Sequence, residues 1–367
     1  MTSSPPLAQS RLVSLDVFRG ITMFLLIAEG AGIYHAISDS SLNDTFLGTI
    51  FTQFHHHPWN GLRFWDLVQP FFMFIVGVAM PFSFGRRWAR GDSYSSTLKH
   101  AVLRSFLLLA LGIGVYVVAA GHLTLELWNV LAQLSVTYLI AFLMMRKSIT
   151  KQLLFTVGLL VLSEMLYRLW TVPGFDQAFT PGQNFGSWVD YLLMGKVSGG
   201  HWVAFNAIPT TAHTMWGVMA GLILQNESAS KDKIKTLLIA GLIGIVIGYG
   251  LDPITPVIKR ICTTSFVIVS GGWCLLALAL CYWLVDVKGH QKWAQFAIVF
   301  GMNPLAVYLF GEVGGNGWLR NIVRPFTEGF LGWTGDGLVL LITAMIVLWM
   351  NWYVVNWLFK RKIFIRI

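Results

Sequence analysis

Three consecutive histidines lie in a short segment with the sequence His55-His56-His57-Pro58-Trp59-Asn60-Gly61. Imidazole titrates near neutrality and can take a proton from a nucleophile. An asparagine amide beside it can hydrogen-bond a substrate or fix the tautomer of the ring. Because adjacent residues point in different directions and the HExxH spacing is absent, we expect no metal site here. The segment is a candidate acid–base site, and the alternative is an interfacial loop whose rings bond only to the backbone.

Charged side chains also fall within the first two apolar runs. Asp16 and Arg19 stand three residues apart, so one face of a helix can hold both as an ion pair. Charges inside a membrane are costly and mark either a functional site or a structural pair, and both interpretations stay open here. Glu29 lies deeper in the same run, and Asp66 begins the next. A carboxylate near a histidine can orient the ring or bind substrate.

Two later stretches carry polar groups inside apolar runs. One contains Asn206, Pro209 and His213, where the proline frees a backbone carbonyl beside polar side chains. The other contains Ser265 and its threonine and serine neighbours. Such groups can bind a ligand within a helix bundle, or they can serve close contacts between helices.

The elements that must position these residues follow from composition. Of the 367 residues, 55% are hydrophobic and only 12% are charged, and the mean hydropathy is +0.64. A soluble domain carries about 25% charged residues, so a soluble enzyme, a disordered chain and a secreted disulfide scaffold are excluded. We expect an all-α, polytopic integral membrane bundle of about ten helices, forming one domain over residues 1–367. The expected spans are 14–37, 64–84, 101–120, 126–145, 152–170, 202–225, 235–251, 262–285, 293–312 and 337–359.

The distribution of positive charge predicts the orientation of these spans. With both termini in the cytoplasm, most of the 26 Lys and Arg residues fall in cytoplasmic segments, as the positive-inside rule requires. The same rule accounts for the net charge of +9, so we expect no nucleic-acid partner. The segments 38–63, 171–201 and 313–336 are then extracytoplasmic. Long connections on one side usually build a site, which places the histidine segment at the outer face.

Several short motifs follow one another in a specific order. They are SLDVFRG, HPWNGLRFWDLVQPFFMFIVGVAMPFS, VLAQLSVTYLIAFL, NFGSWVDYLLMG, IPTTAHTMWGVMAGLIL, TTSFVIVSGG, YWLVDV and FGMNPLAVY. This order resembles the heparan-alpha-glucosaminide N-acetyltransferase family of transmembrane acyltransferases and its bacterial relatives. The resemblance runs from Arg11 to about Tyr308, over most of the chain.

The resemblance implies an enzyme that takes acetyl from cytosolic acetyl-CoA and delivers it to a glucosamine-type amino group across the membrane. The family's catalytic histidine corresponds best to His57, with the choice among His55, His56 and His57 left open, and Asn60 and Asp66 complete the catalytic set. The expected substrate-binding residues are Trp59, Glu29, His213, Gln133, Lys259, Ser265 and Asn303, and the expected structural ion pair is Asp16–Arg19. Acetyl-CoA is the expected co-substrate, and no metal is expected.

The expected partners are an amino-sugar or glycan acceptor and the lipid of a bacterial-type cytoplasmic (inner) membrane, with a homodimer left open. The rival hypothesis is a transporter of an amino sugar or similar polar solute, which would share the spans, buried charges and broken helices. An acyl-CoA enzyme needs a basic cytoplasmic mouth and a titratable base at the far end, and the sequence has both. A transporter more often shows internal repeats, and we find none. A third hypothesis, a structural partner in an envelope polysaccharide complex, predicts no acyl-CoA binding.

Overall fold

The computed structural model describes residues 12–38, 45–292, 294–365 and 367, and all regular structure within them is helical. The α-helices are α1 (Val13–Ala31), α2 (Ile33–Ser38), α3 (Phe46–Thr52), α4 (Val68–Ala89), α5 (Tyr94–Ala120), α6 (Val130–Met144), α7 (Ile149–Leu169), α8 (Phe185–Met194), α9 (Thr211–Gln225), α10 (Ser230–Gly250), α11 (Thr264–Cys281), α12 (Gln295–Met302), α13 (Pro304–Glu312), α14 (Gly315–Leu331) and α15 (Asp336–Lys360). A π-helix over Tyr282–Val287 extends α11. The all-α prediction is confirmed for this part of the chain.

Among the described residues, six helical segments are long and apolar enough to cross a membrane. They are Phe64–Ala89, Tyr94–Ala120, Ile149–Leu169, Ser230–Gly250, Thr264–Val287 and Asp336–Lys360. The shortest have 21 residues, which meets the roughly 20 residues that a hydrocarbon core requires. Phe106, Leu154 and Val246 on three of these helices are more than half exposed. Long apolar helices with apolar exposed surfaces support an integral membrane protein.

The other four predicted spans fold as shorter helices. α1 carries three charged residues and ends at Gly32, whose φ of +95° gives the left-handed cap that glycine accepts most readily. The run 202–225 opens with a 3-10 turn, so α9 has only 15 residues, as α6 has. The run 293–312 is divided at Asn303, because Pro304 starts a new helix rather than continuing the previous one. The number of about ten crossings stays a prediction.

The helices α1 and α4 lie at the centre of the bundle. α1 packs against α4, α11, α12, α13 and α15. α4 packs most closely against α9, because a Cβ on Gly77 would collide with the carbonyl of Thr214, and one on Gly217 with that of Phe74. A larger residue at either glycine would separate the two helices. This close contact fixes α4, whose two ends carry the two parts of the candidate site.

Candidate functional site

The three histidines of the segment before α4 point into three different environments. His55 Nε2 lies 2.6 Å from the hydroxyl of Ser38 on α2. The ring of His57 packs against Gly61, where a Cβ would lie 2.6 Å from His57 Nε2. Gly61 has a φ of +141°, a conformation open chiefly to glycine. His56 is the histidine of the three that turns toward a carboxylate.

His56 and Asp66 form a hydrogen-bonded pair. His56 Nδ1 lies 2.8 Å from Asp66 Oδ1, while Asp66 Oδ2 accepts from the backbone N–H of Arg63 at 2.9 Å and of His57 at 3.2 Å. An ionised carboxylate can only accept, so Nδ1 carries the proton that it donates to Asp66. The neutral ring then presents the lone pair of Nε2, which makes no hydrogen bond with the described residues. A carboxylate that orients an imidazole in this way prepares it to act as a base.

Lys259 joins His56 and Asp66 to form a cluster of three residues. Its side chain is only 7% exposed, and Nζ lies 3.8 Å from Asp66 Oδ1 and 3.2 Å from His56 Nδ1. Because Nδ1 already donates to Asp66, the approach of Lys259 to the ring is electrostatic rather than a hydrogen bond. Burial and the Lys259 charge lower the pKa of His56 to about 4, so the ring is neutral near pH 7. Burial also lowers the pKa of Lys259 to about 8, against the opposing effect of Asp66.

The loop before α11 places Lys259 beside the pair. The carbonyl of Val257 accepts a backbone N–H from the histidine segment at 2.8 Å, which joins the two loops. The hydroxyls of Thr263 and Ser265 both donate to the carbonyl of Pro256, at 2.7 and 3.0 Å. Ser265, predicted to bind substrate, therefore supports the Lys259 loop through its backbone.

An aromatic side chain forms the wall next to the cluster. The ring centroid of Trp202 lies 5.2 Å from that of His56 and 5.2 Å from Nζ of Lys259. The guanidinium of Arg260 lies over the same ring at 5.3 Å. Cations over an indole stabilise its position. An aromatic face held in this way can stack against the apolar face of a sugar ring.

A cavity of about 560 Å³ lies toward the other end of α4, between walls that are mostly apolar. The charged residues that line it are Asp16, Arg19, Arg86 and Arg104. Asp16 and Arg19 form a salt bridge with 3.6 Å between Oδ1 and Nη1, so the predicted ion pair borders this cavity. The guanidinium of Arg104 lies over the Tyr138 ring at 4.7 Å, and its buried Nε has no hydrogen-bond partner among the described residues.

One face of α4 joins the cavity to the cluster. Phe72 and Val76 line the cavity, and Gln69 and Asp66 continue the spacing of three to four residues toward the N-terminal end of the helix. A helix rises about 1.5 Å per residue, so Asp66 lies ~9 Å beyond Phe72 and ~30 Å from Arg86. The cluster and the cationic end of the cavity are therefore separated by about the thickness of a hydrocarbon core.

Gln133, predicted to bind substrate, belongs to a chain of hydrogen bonds beside this face. It accepts from the amide of Gln69 and donates to the carbonyl of Trp128 at 3.2 Å. The Trp128 indole donates to Asp190 at 2.7 Å, and the N–H of Ala204 donates to the same carboxylate at 2.8 Å. Burial raises the pKa of Asp190 to about 6. The chain links α4 and α6 to α8 and to the loop before α9.

Three further predicted residues lie outside the cluster. Asn60 is exposed, and no hydrogen bond joins its side chain to the residues that the structure describes. The Trp59 indole donates to the carbonyl of Phe179 at 2.8 Å, which ties the histidine segment to the long loop before α8. His213 is fully buried, and its Nε2 lies 2.9 Å from Ser270 Oγ, which joins α9 to α11. The catalytic role of Asn60 and the substrate-binding roles of Trp59 and His213 stay predictions.

Glu29 is partly buried near the C-terminal end of α1. It lies within electrostatic range of His35, Arg320 and Lys259. The carbonyl of the neighbouring Gly30 accepts from Arg320 at 2.6 Å, which anchors α14 to this end of α1. The substrate-binding role of Glu29 stays a prediction.

The structure also brings forward residues that the sequence did not single out. Gln69, Trp128 and Asp190 form the chain of hydrogen bonds described above, and the one signal for Asp190 is an acidic residue within an apolar helix. Asp286 accepts from the first backbone N–H groups of α1, both at 3.2 Å, and so caps its positive end.

Asn303, by contrast, was predicted to bind substrate. It lies at the α12–α13 junction, where its amide bonds to the residues after α15.

Comparison with known proteins agrees with the motif order. Among the described residues, no group of three or more His, Cys, Asp or Glu could hold a metal ion. No protein-family model matches the chain. The heparan-alpha-glucosaminide N-acetyltransferases of Mus musculus and Homo sapiens are each 26% identical to it, over 83% and 85% of this chain. The chain spans about half the length of these curated relatives, 54% in both cases. The resemblance in the motifs is thus confirmed, and the protein is a distant relative of the heparan-alpha-glucosaminide N-acetyltransferase family.

Proposed function

We propose that the protein is a membrane acyltransferase that moves acetyl from acetyl-CoA to an amino sugar. The observation that carries the proposal is the arrangement along α4: a base oriented by a carboxylate at one end, and a cavity with cationic groups at the other. The names of the two curated relatives, which are N-acetyltransferases, support the same reaction class.

The cavity is the proposed binding site for the donor. Arg19, Arg86 and Arg104 supply guanidinium groups, which suit the phosphates of a CoA ester. The apolar walls along Phe72 and Val76 suit the pantetheine arm, which would place the thioester toward Asp66. A CoA ester carries strongly hydrated phosphates and cannot cross a bilayer, so the donor would enter from the cytoplasmic face.

The cluster is the proposed site of chemistry. The acceptor amine attacks the thioester carbonyl, His56 Nε2 takes the amine proton, and the carbon–sulfur bond breaks. The leaving thiolate receives a proton, so amine and thioester become amide and free thiol. Asp66 stabilises the imidazolium that forms, while the Lys259 charge opposes it and favours return of the proton. Trp202 would stack on the sugar ring.

His57, the histidine first expected to act, stays a candidate, but its surroundings favour His56. Asp66 receives only the backbone N–H of His57, whereas it receives the ring of His56. The His57 ring faces Gly61, and its buried Nδ1 has no partner among the described residues. An unoriented ring has no fixed tautomer, so it is the weaker choice for a base.

The proposal includes about ten crossings, both termini in the cytoplasm and location in a bacterial-type cytoplasmic membrane. It rests on the positive-inside bias, which places Arg86 inside and His56 outside. An amino sugar or glycan would then reach the cluster from the outer face. A polar path between the two faces would be provided by Asp66, Gln69 and the end of the cavity.

The test uses sealed vesicles of both orientations, each offered acetyl-CoA on one face and a labelled glucosamine-type sugar on the other. We expect acetylated sugar and free thiol only when acetyl-CoA meets the cytoplasmic face. Unmodified sugar that crosses the membrane without any dependence on acetyl-CoA would instead establish the transporter. Protein that carries His56→Gln provides the inactive control.

A further inference from the structure

The segment that follows α15 turns back toward the bundle. α15 ends at Lys360, and Lys362 takes a φ of +57°. The N–H of Ile363 then donates to the carbonyl of Leu358 at 3.0 Å. A left-handed residue with this six-to-one hydrogen bond forms a Schellman motif, which ends a helix and redirects the chain. Residues 363–365 therefore leave the helix axis.

The side chain of Asn303 holds this segment by its backbone. Asn303 Nδ2 donates to the carbonyl of Ile363 at 3.0 Å, and Oδ1 accepts the N–H of Ile365 at 2.9 Å. An amide that binds residues two apart in this way imitates the hydrogen bonding of a neighbouring β-strand. Asn303 is fully buried at the α12–α13 junction, so both polar ends of its amide are committed to the segment.

The segment forms part of the cavity wall. Ile365 and Ile367 line the cavity, next to Met302 and Pro304 on either side of Asn303. Ile365 is 47% exposed, so it lies at the mouth, between the cavity and the surroundings. Asn303 itself does not line the cavity.

We propose that Asn303 is a positioning residue for donor binding: by bonding to the backbone of Ile363 and Ile365, it keeps Ile365, with Ile367 beside it, as one side of the cavity mouth. The proposal rests on the proposed function, because it takes the cavity as the donor site. Asn303 acts through the segment and not on the reacting atoms. Its loss should therefore change the KM for acetyl-CoA, and it should leave kcat and the KM for the sugar unchanged.

The first experiment compares Asn303→Ala with Asn351→Ala. Asn351 is a matched control, since it is also buried and donates two hydrogen bonds at 2.9 Å, but it does not line the cavity or contact the segment. Loss of the two Asn303 bonds should raise the KM for acetyl-CoA by about tenfold. A fall in kcat with an unchanged KM would overturn the proposal, as would an equal rise in KM in Asn351→Ala.

A second measurement follows the segment without any turnover. A spin label on Ile365→Cys, in a chain with Cys281→Ser, should be immobile in the presence of Asn303 and mobile in Asn303→Ala. Cys262 and Cys274 are buried and stay unlabelled. A label that is equally mobile in both proteins would show that Asn303 does not hold Ile365 in place.

Binding of coenzyme A separates the failure of this proposal from that of the proposed function. If the wild-type protein binds no coenzyme A, the cavity is not the donor site and the proposed function fails, whatever the label shows. If the wild type binds it, Ile365→Ser should weaken binding as Asn303→Ala does. Ile365 is half-exposed, so its substitution should leave the fold intact. Unchanged affinity in both variants would overturn the proposal.

Discussion

The two ends of α4 differ in what surrounds their charged side chains. At the N-terminal end, Asp66 accepts from a ring and two backbone N–H groups, and the buried Lys259 lies against it. At the cavity end, Arg86 and Arg104 border an open volume of about 560 Å³ between apolar walls. The first arrangement fixes the direction of one atom, Nε2 of His56. The second places cationic groups beside a cavity that can hold a ligand.

This difference separates chemistry from binding. A saturated cluster cannot adapt to many ligands, but it holds a base in one tautomer and one orientation. A cavity with apolar walls and a few charged groups can admit a large, partly apolar anion. Substitutions in the cluster should therefore change kcat, and substitutions in the cavity should change the KM for the donor.

The largest expected effect is at the base. His56→Gln should lower kcat by about 10²–10⁴-fold, because it removes the ring nitrogen that is proposed to take the amine proton. His57→Gln is the matched control and should lose less than about tenfold, since its ring contacts Gly61 rather than Asp66. The measurement is release of free thiol from acetyl-CoA. An inactive His57→Gln beside an active His56→Gln would restore the first sequence prediction.

At the cavity end, Arg104→Gln should raise the KM for acetyl-CoA by about 10–100-fold, the loss of one charge-assisted hydrogen bond. Its kcat should change little, since the substitution lies far from His56. Arg90→Gln is the control, because Arg90 is exposed and does not line the cavity. Equal effects in the two variants would mean that general surface charge, and not the cavity, attracts the donor.

The pH dependence of kcat should report the protonation of His56 and Lys259 in the cluster. His56 must be unprotonated to act as a base, and Lys259 must stay protonated to keep its ion pair with Asp66. With pKa values of about 4 for His56 and about 8 for Lys259, kcat should rise through the first value and fall through the second. Lys259→Met removes a cation that opposes protonation of His56, so the acid limb should move up by about one pH unit. An acid limb that stays in place would show that Lys259 does not act on the base.

The smallest expected effect concerns stability at the cavity. Asp16 and Arg19 are 13% and 24% exposed, so removal of either partner should cost less than a fully buried pair, about 1–3 kcal/mol. Asp16→Asn, Arg19→Gln and the double variant are compared by thermal unfolding in detergent. The double variant should lose less than the sum of the single losses, because each single change leaves one charge unpaired. Strictly additive losses would argue against the pairing.

Local composition accounts for the parts of the fold that the sequence predicted well. Long runs of apolar residues with few charges favour helices in a bilayer, because only a helix satisfies every backbone group within its own segment. The Asp16–Arg19 spacing places both groups on one face wherever the helix lies. Runs that carry a break were harder to predict: Gly32 caps the end of α1 and Pro304 starts α13 within runs that were predicted to be continuous spans.

The roles of individual side chains depended on contacts between distant segments. Three adjacent histidines look equivalent in sequence, and Asp66, Lys259 and Gly61 together decide which ring is oriented and which is packed. Asn303 was predicted to bind substrate, and its amide hydrogen-bonds to the backbone of Ile363 and Ile365, which lie 60 and 62 positions further along the chain. Composition and short-range periodicity are properties of the chain itself, so the sequence alone determined the helical, membrane-type fold. The direction of a donor or a lone pair depends on its neighbours in space, so only the tertiary structure decided the site.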